Sequence, residues 1–254
     1  MCGRYTFTFD AKTLGEAFDL VPPGFTIVKG YNIAPGQHIV IVRPERDRLV
    51  ADIAHWGLIP GWVKDPNTSP KPINARAETL EEKPTFRTAF RRKRCIVPAS
   101  GFYEWKVEGR TKQPFYIHPT DGDLFAFAAL LEDWQGPHGE VMISTCIITT
   151  EPNELMASIH DRMPVILPKA AWHAWLDPAV QVRELKPLLV PLPAERMAAK
   201  SHKLFSPADE LAGKLISNMR AKTRRIFPSK VGSSRPNAME AMAPTVYLPI
   251  PGKR

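Results

Sequence analysis

The sequence predicts an α+β protein with a curved, largely antiparallel sheet flanked by short helices. Three observations carry that expectation. Strand-like and helix-like stretches are mixed without a regular strand–helix–strand alternation, which argues against a parallel α/β sheet. Twenty-six prolines fix φ at many points and cannot donate to a ladder, so elements are short and turns frequent. No internal repeat is found, and 254 residues that are 44% hydrophobic are ample for one buried core.

In order, "FDAKTLGEAFDL" (9–20) places an aspartate before an apolar pattern and reads as a short helix. "HIVIVR" (38–43) and "RLVADIAHWGL" (48–58) read as strands, the second setting Leu49, Ala51 and Ile53 against Val50, Asp52 and Ala54. "AETLEEKPTFRTAFRRKR" (77–94) gives two short helices broken at Pro84, the second strongly basic. Four strands follow at 95–107, 113–118, 124–134 and 141–150, joined by Gly-rich or Pro-rich turns. Residues 151–160 and 168–176 are short helices with proline near their starts. From residue 227 the chain becomes rich in Pro, Ser, Gly and Ala, which gives one domain over 1–226 and an extended or disordered tail over 227–254.

Composition narrows the function classes. A net charge of +8 suits a polyanionic partner, nucleic acid first. Cys2, Cys95 and Cys146 are an odd set without a CxxC pair, which argues against a disulfide framework and fits a reducing cytoplasm. No two His or Cys residues sit at ligand spacing, so no metal is expected. No run reaches membrane-span length, and no signal peptide opens the chain.

The residues able to carry chemistry start at "MCGRY". Once Met1 is removed, Cys2 holds an amine and a thiol on one residue, the pair needed to condense with an aldehyde into a thiazolidine. The plainer alternative is a small apolar residue at the start of an edge strand. "NARAET" (74–79) sets Asn74 and Arg76 two apart at the end of a Pro-rich loop. In "RCIVPASGFYEW" (94–105), strand alternation puts Glu104 on a face with Phe102 and Lys106, with Tyr103 and Trp105 opposite. A carboxylate on so apolar a face is suited to acid–base work unless Lys106 or another cation pairs with it. "SIHDRMP" (158–164) brings His160, Asp161 and Arg162 together. "HWGLIPGW" (55–62) supplies two tryptophans, for the core or for stacking on bases. The basic runs at 90–94 and 220–225 are either solvated faces or added non-specific affinity.

Together these blocks resemble the SOS response-associated peptidase (SRAP) family, the abasic-site processing proteins that cross-link themselves to damaged single-stranded DNA. The resemblance runs through "MCGRY", "YNIAPGQ", "WGLIPGW", "NARAET", "RCIVPASGFYEW" and "TTEPNELMASIHDRMPVIL", over roughly residues 1–190. It implies an SRAP-type domain and places the nucleophile at Cys2, with Asn74, Glu104 and His160 completing the catalytic set. It places phosphate-holding arginines at Arg4, Arg76 and Arg162, and aromatic contacts at Trp62 and Trp105. It implies no cofactor. The expected partner is single-stranded DNA carrying abasic sites, met by a monomer in the cytoplasm that joins the nucleoid when it acts.

On these residues His160 opens the sugar hemiacetal, the Cys2 amine forms an imine with Glu104 shuttling protons, and the thiol closes the ring. Strand cleavage by β-elimination is the side reaction. Met1 leaves by a cellular aminopeptidase or by self-cleavage, the one peptidase event expected. Two rivals stay open: an N-terminal-nucleophile cysteine amidohydrolase, and a non-covalent single-strand binder in which Cys2 is inert.

Overall fold

The computed structural model describes residues 2–201. Its strands are β1 (Arg4–Phe7), β2 (Gly30–Ile33), β3 (His38–Glu45), β4 (Arg48–Trp56), β5 (Asn74–Arg76), β6 (Arg94–Ala99), β7 (Gly101–Glu108), β8 (Thr111–Pro119), β9 (Phe125–Gln135), β10 (Val141–Thr150), β11 (Met163–Pro164) and β12 (Met197–Ser201). The helices are α1 (Ala11–Phe18), α2 (Pro84–Arg92), α3 (Glu154–Ala157), α4 (Trp172–Leu176) and α5 (Val182–Leu185), with short 3-10 turns between. The α+β, largely antiparallel expectation holds.

The strands divide between two sheets. One has five strands in the order β12-β8-β7-β1-β2. The other has seven, in the order β11-β10-β4-β3-β6-β9 with β5 added on β10. Because β9 also pairs with β10, this second sheet closes on itself like a barrel and leaves few bare edges. Two pairings on β10 are parallel, those with β4 and β5.

The stretch read as one strand over 95–107 is two, and they lie in different sheets. The chain turns at Ser100, whose N–H donates to the Thr6 carbonyl at 2.8 Å and whose hydroxyl accepts the Thr8 N–H at 2.9 Å. Gly101 follows because nothing larger fits: a Cβ there would stand 2.5 Å from the Ile117 carbonyl and 2.6 Å from the Tyr116 ring. The hydrophobic run gave no hint of this corner, because β6 is buried on both faces and the apolar run continues into the start of β7.

Local chemistry explains the helices. Asp10 caps α1 by accepting the Thr13 N–H at 2.9 Å, and Pro84 occupies the first turn of α2, where its missing N–H costs nothing. Asn153 caps α3 through the Met156 N–H at 2.9 Å, while its amide donates to the Leu192 carbonyl at 2.7 Å. The start of the helical turn ahead of His160 is thereby tied to the chain at Leu192.

The sheets are joined by apolar packing. Tyr5 of β1 lies edge-on to Trp56 of β4 at 5.5 Å and to Phe127 of β9 at 6.2 Å, and all three are buried. Burial of side chains this size is worth about 1.5–3 kcal/mol each, so β1 is pinned between the sheets. It is an internal strand, flanked by β7 and β2, so the edge-strand placement of Cys2 falls, although Cys2 is buried as a small apolar residue would be. The basic run at 90–94 is partly structural: Lys93 bridges Glu132 and Asp133, and Arg94 is buried on the carbonyls of Phe90, Arg91, Trp175 and Asp177. The run at 220–225, the 226/227 boundary and the tail lie outside the described residues.

Candidate active site

Cys2 sits just ahead of β1 and is fully buried. Asn74 opens β5, whose parallel pairing pins Asn74, Ala75 and Arg76 against Ile147, Ile148 and Thr149. Ala75 turns inward, so alternation sends Asn74 and Arg76 to the other side. The Asn74 amide donates to the Cys2 carbonyl at 3.0 Å, which ties the start of the chain to β5. Its own Oδ1 is buried without a hydrogen-bond partner among the described residues.

Glu104 lies in β7 beside Phe102 on the inward face, as the alternation predicts, and is 2% exposed. Burial holds its carboxyl above the ordinary carboxylate range. Lys106 is turned to Glu108 at 2.8 Å, so the expected Lys106 alternative does not describe this carboxylate. The partner Glu104 faces among the described residues is in the site itself: His160 Nε2 stands 3.8 Å from its Oε2. Burial, and then the nearby Glu104, push the Cys2 thiol up, so the sulfur keeps its proton at neutral pH. Cys95 and Cys146 are buried as well, with burial pushing Cys95 up to about 12.

His160 follows α3, and its N–H closes the turn on the Met156 carbonyl at 2.8 Å. The chain then returns as β11 against Thr149 and Thr150, which fixes the loop at both ends. Four segments distant in sequence thus bring Cys2, Asn74, Glu104 and His160 together.

The arginines behave differently from one another. Arg76 is exposed. Arg4 is half-buried and donates to Asn32 Oδ1 at 2.8 Å. Arg162 is already engaged: its Nη1 and Nη2 donate to the two oxygens of Glu78 at 2.8 and 3.0 Å, and Nη2 also donates to the Thr149 carbonyl at 2.6 Å. Glu78 and Thr149 lie inside "NARAET" and "TTEPNEL", but nothing in their spacing marked them as partners. The two tryptophans of 55–62 part company. Trp56 is core, donating to the Ile73 carbonyl, whereas Trp62 is 68% exposed on a loop held by Ser144 and Thr145. Trp105 is half-buried on the outward side of β7. No group of three His, Cys, Asp or Glu suited to a metal exists among the described residues. A separate cleft of about 380 Å³, lined by Phe18, Arg46, Arg48 and His173, contains none of the four site residues.

An antiparallel α+β fold that seats a cysteine at position 2 beside an amide, a buried carboxylate and an imidazole defines a structural class. Within it, the sequence model of the SOS response associated peptidase family matches residues 1–203, and the chain belongs to that family. Abasic site processing protein YoqW of Bacillus subtilis is 44% identical over 204 residues, covering 78% of this chain and 91% of its own. Abasic site processing protein YedK of Escherichia coli is 32% identical over 189 residues, covering 72% and 83%. A crystal structure of a Bacteroides thetaiotaomicron protein superposes with a TM-score of 0.72 at 30% identity, over 80% of this chain and 93% of the other.

Proposed function

We propose that this protein captures abasic sites in single-stranded DNA as a thiazolidine formed by Cys2, after Met1 has been removed. The observation that supports this reading best is the convergence of Cys2, Asn74, Glu104 and His160 from four separate segments. Relatives that are 32–44% identical carry the name abasic site processing protein, which agrees with it.

The chemistry balances on these groups. His160 delivers a proton to the ring oxygen of the lesion while the C1′ hydroxyl gives its proton to water, which frees the C1′ aldehyde; imidazole is the side chain suited to the first transfer near neutrality. The amine attacks first, an α-amine having an ordinary pKa of about 7.7–8.0, while burial favours the protonated form of the thiol. A C–N bond forms, and Glu104, whose burial favours carrying a proton, takes one from nitrogen and returns it to the departing water. Sulfur then bonds to C1′ while its proton passes to the imine nitrogen, so one water leaves overall. Amine and sulfur share one carbon frame, and the second closure gains the proximity advantage of an intramolecular step. Asn74 holds the Cys2 main chain in place. If sulfur closure is slow, the imine acidifies C2′ and the strand breaks by β-elimination.

The same groups support release of Met1. The thiol adds to the Met1 carbonyl, the peptide nitrogen leaves as the Cys2 amine, and water activated by Glu104 or His160 cleaves the thioester. Arg4 and Arg76 would grip phosphates without reading sequence, joined by Arg162 wherever its fork can turn from Glu78. Trp62 and Trp105 offer faces on which bases stack. The protein acts as a monomer, without cofactor, in the cytoplasm and on the nucleoid.

The test is Cys2→Ser on abasic single-stranded DNA. The serine variant should lose the adduct that survives a denaturing gel, yet still be trapped through its amine by borohydride. Equal yield of the untreated adduct from both proteins would remove the thiazolidine.

A further inference from the structure

His160 holds its position through a neighbour with a second attachment. The Arg162 backbone N–H donates to His160 Nδ1 at 3.0 Å. A nitrogen that accepts carries no proton, so the neutral ring bears its hydrogen on Nε2, the nitrogen 3.8 Å from Glu104 Oε2. Asp161 Oδ1 stands 2.9 Å from the same Nδ1. One nitrogen cannot accept from Arg162 and donate to Asp161 together, so the two contacts belong to different charge states of the ring. We assign the Arg162 contact to the neutral ring, since a backbone N–H cannot swing away and the Asp161 side chain, 85% exposed, can.

What holds that N–H in place is the other end of Arg162. Its side chain is only 13% exposed, and its fork lies across the Glu78 carboxylate while Nη2 reaches the Thr149 carbonyl of β10. A bidentate arginine–carboxylate pair fixes direction as well as charge. Hydrogen bonding to Arg162 lowers the Glu78 carboxyl below its ordinary value, so it remains ionised across the neutral range. Glu78 itself lies two residues after Arg76, in the 3-10 turn Ala77–Thr79 that follows β5 directly. The segment bearing Asn74 is therefore tied, through Glu78 and Arg162, to the loop bearing His160.

We propose that Glu78 is a positioning residue for His160: by clamping Arg162 it fixes the loop so that Nε2 of the imidazole faces Glu104 and the reacting sugar, and the ring serves as acid once Nδ1 has taken up a proton beside Asp161. The proposal rests on the reading of His160 as the acid of abasic-site capture. Among the described residues the titratable and charged groups around the ring include Glu104 from β7, and Asp161 and Arg162 from its own loop, with Glu78 behind Arg162 and the Cys2 thiol beyond Glu104.

Glu78→Ala and Glu78→Gln separate this from a merely structural role. Three readouts serve: the single-turnover rate of adduct formation against pH, the affinity for abasic single-stranded DNA, and the imidazole nitrogen NMR signals of the DNA-free protein. In Glu78→Ala the rate should fall about tenfold, a fraction of what a general acid supplies. Its pH profile should shift, and the His160 signals should move from the Nε2–H form toward a mixture. Glu78→Gln keeps one acceptor for the fork and should recover part of the rate and of the tautomer signature. The idea is overturned if the imidazole signals and pH profile match the wild type, whether or not the rate drops. It is equally overturned if Glu78→Ala only tightens DNA binding, since the carboxylate would then be standing in for a phosphate on Arg162. If the wild type forms no adduct yet its imidazole signals respond to Glu78→Ala, the positioning holds and the capture reading fails.

Discussion

Burying Glu104 carries a cost whose sign is testable. Its folded pKa lies above the unfolded carboxylate value because burial disfavours the charge. The folded state therefore holds its proton to higher pH than the unfolded chain does, and stability falls as pH rises through the folded pKa. Glu104→Gln should accordingly melt at higher temperature than the wild type at pH 8 and lose that advantage below about pH 4, under the unfolded carboxylate value. The same substitution should slow adduct formation by about 10²-fold or more, in the range of a lost proton shuttle. A glutamine variant that is less stable at pH 8 would mean that the contact with His160 outweighs burial.

At the scale of elements, the corner between β6 and β7 decides where Glu104 points. Gly101→Ala would press a methyl into the Ile117 carbonyl and the Tyr116 ring. It should cost about 1–3 kcal/mol by overpacking, seen as a lower denaturant midpoint, and a midpoint unchanged from the wild type would show that β8 yields freely. This corner also marks the limit of what the sequence made legible. Periodicity and caps located α1, α2, β3, β4 and β8–β10, because amphipathic spacing and capping residues are local signals. The division into two sheets was hidden, since pairing partners far apart in sequence leave no local mark. The four site residues could be read from the motif blocks carrying the family resemblance. The Glu78–Arg162 fork, 84 residues apart, could not. Nor could the fate of the tryptophans, because Trp56 and Trp62 differ only in what folds over them.

For the molecule as a whole, the net charge of +8 and the exposed Arg76 lead to a prediction about DNA binding. If Arg76 neutralises one phosphate, Arg76→Ala should make the dependence of log affinity on log salt shallower by about 0.7, the single-strand increment. Trp62→Ala should instead weaken binding by about 1–3 kcal/mol at every salt concentration, as loss of a stacking face does. Identical salt slopes for wild type and Arg76→Ala would take Arg76 out of the interface. Covalent capture itself is reached most directly by the intact mass of the purified protein, before and after incubation with single-stranded DNA carrying one abasic site. The expected result is a starting mass without Met1, then a new species equal to protein plus DNA minus one water, formed without borohydride. A protein that retains Met1 and gains no mass would contradict the proposal and leave Cys2 an inert buried thiol.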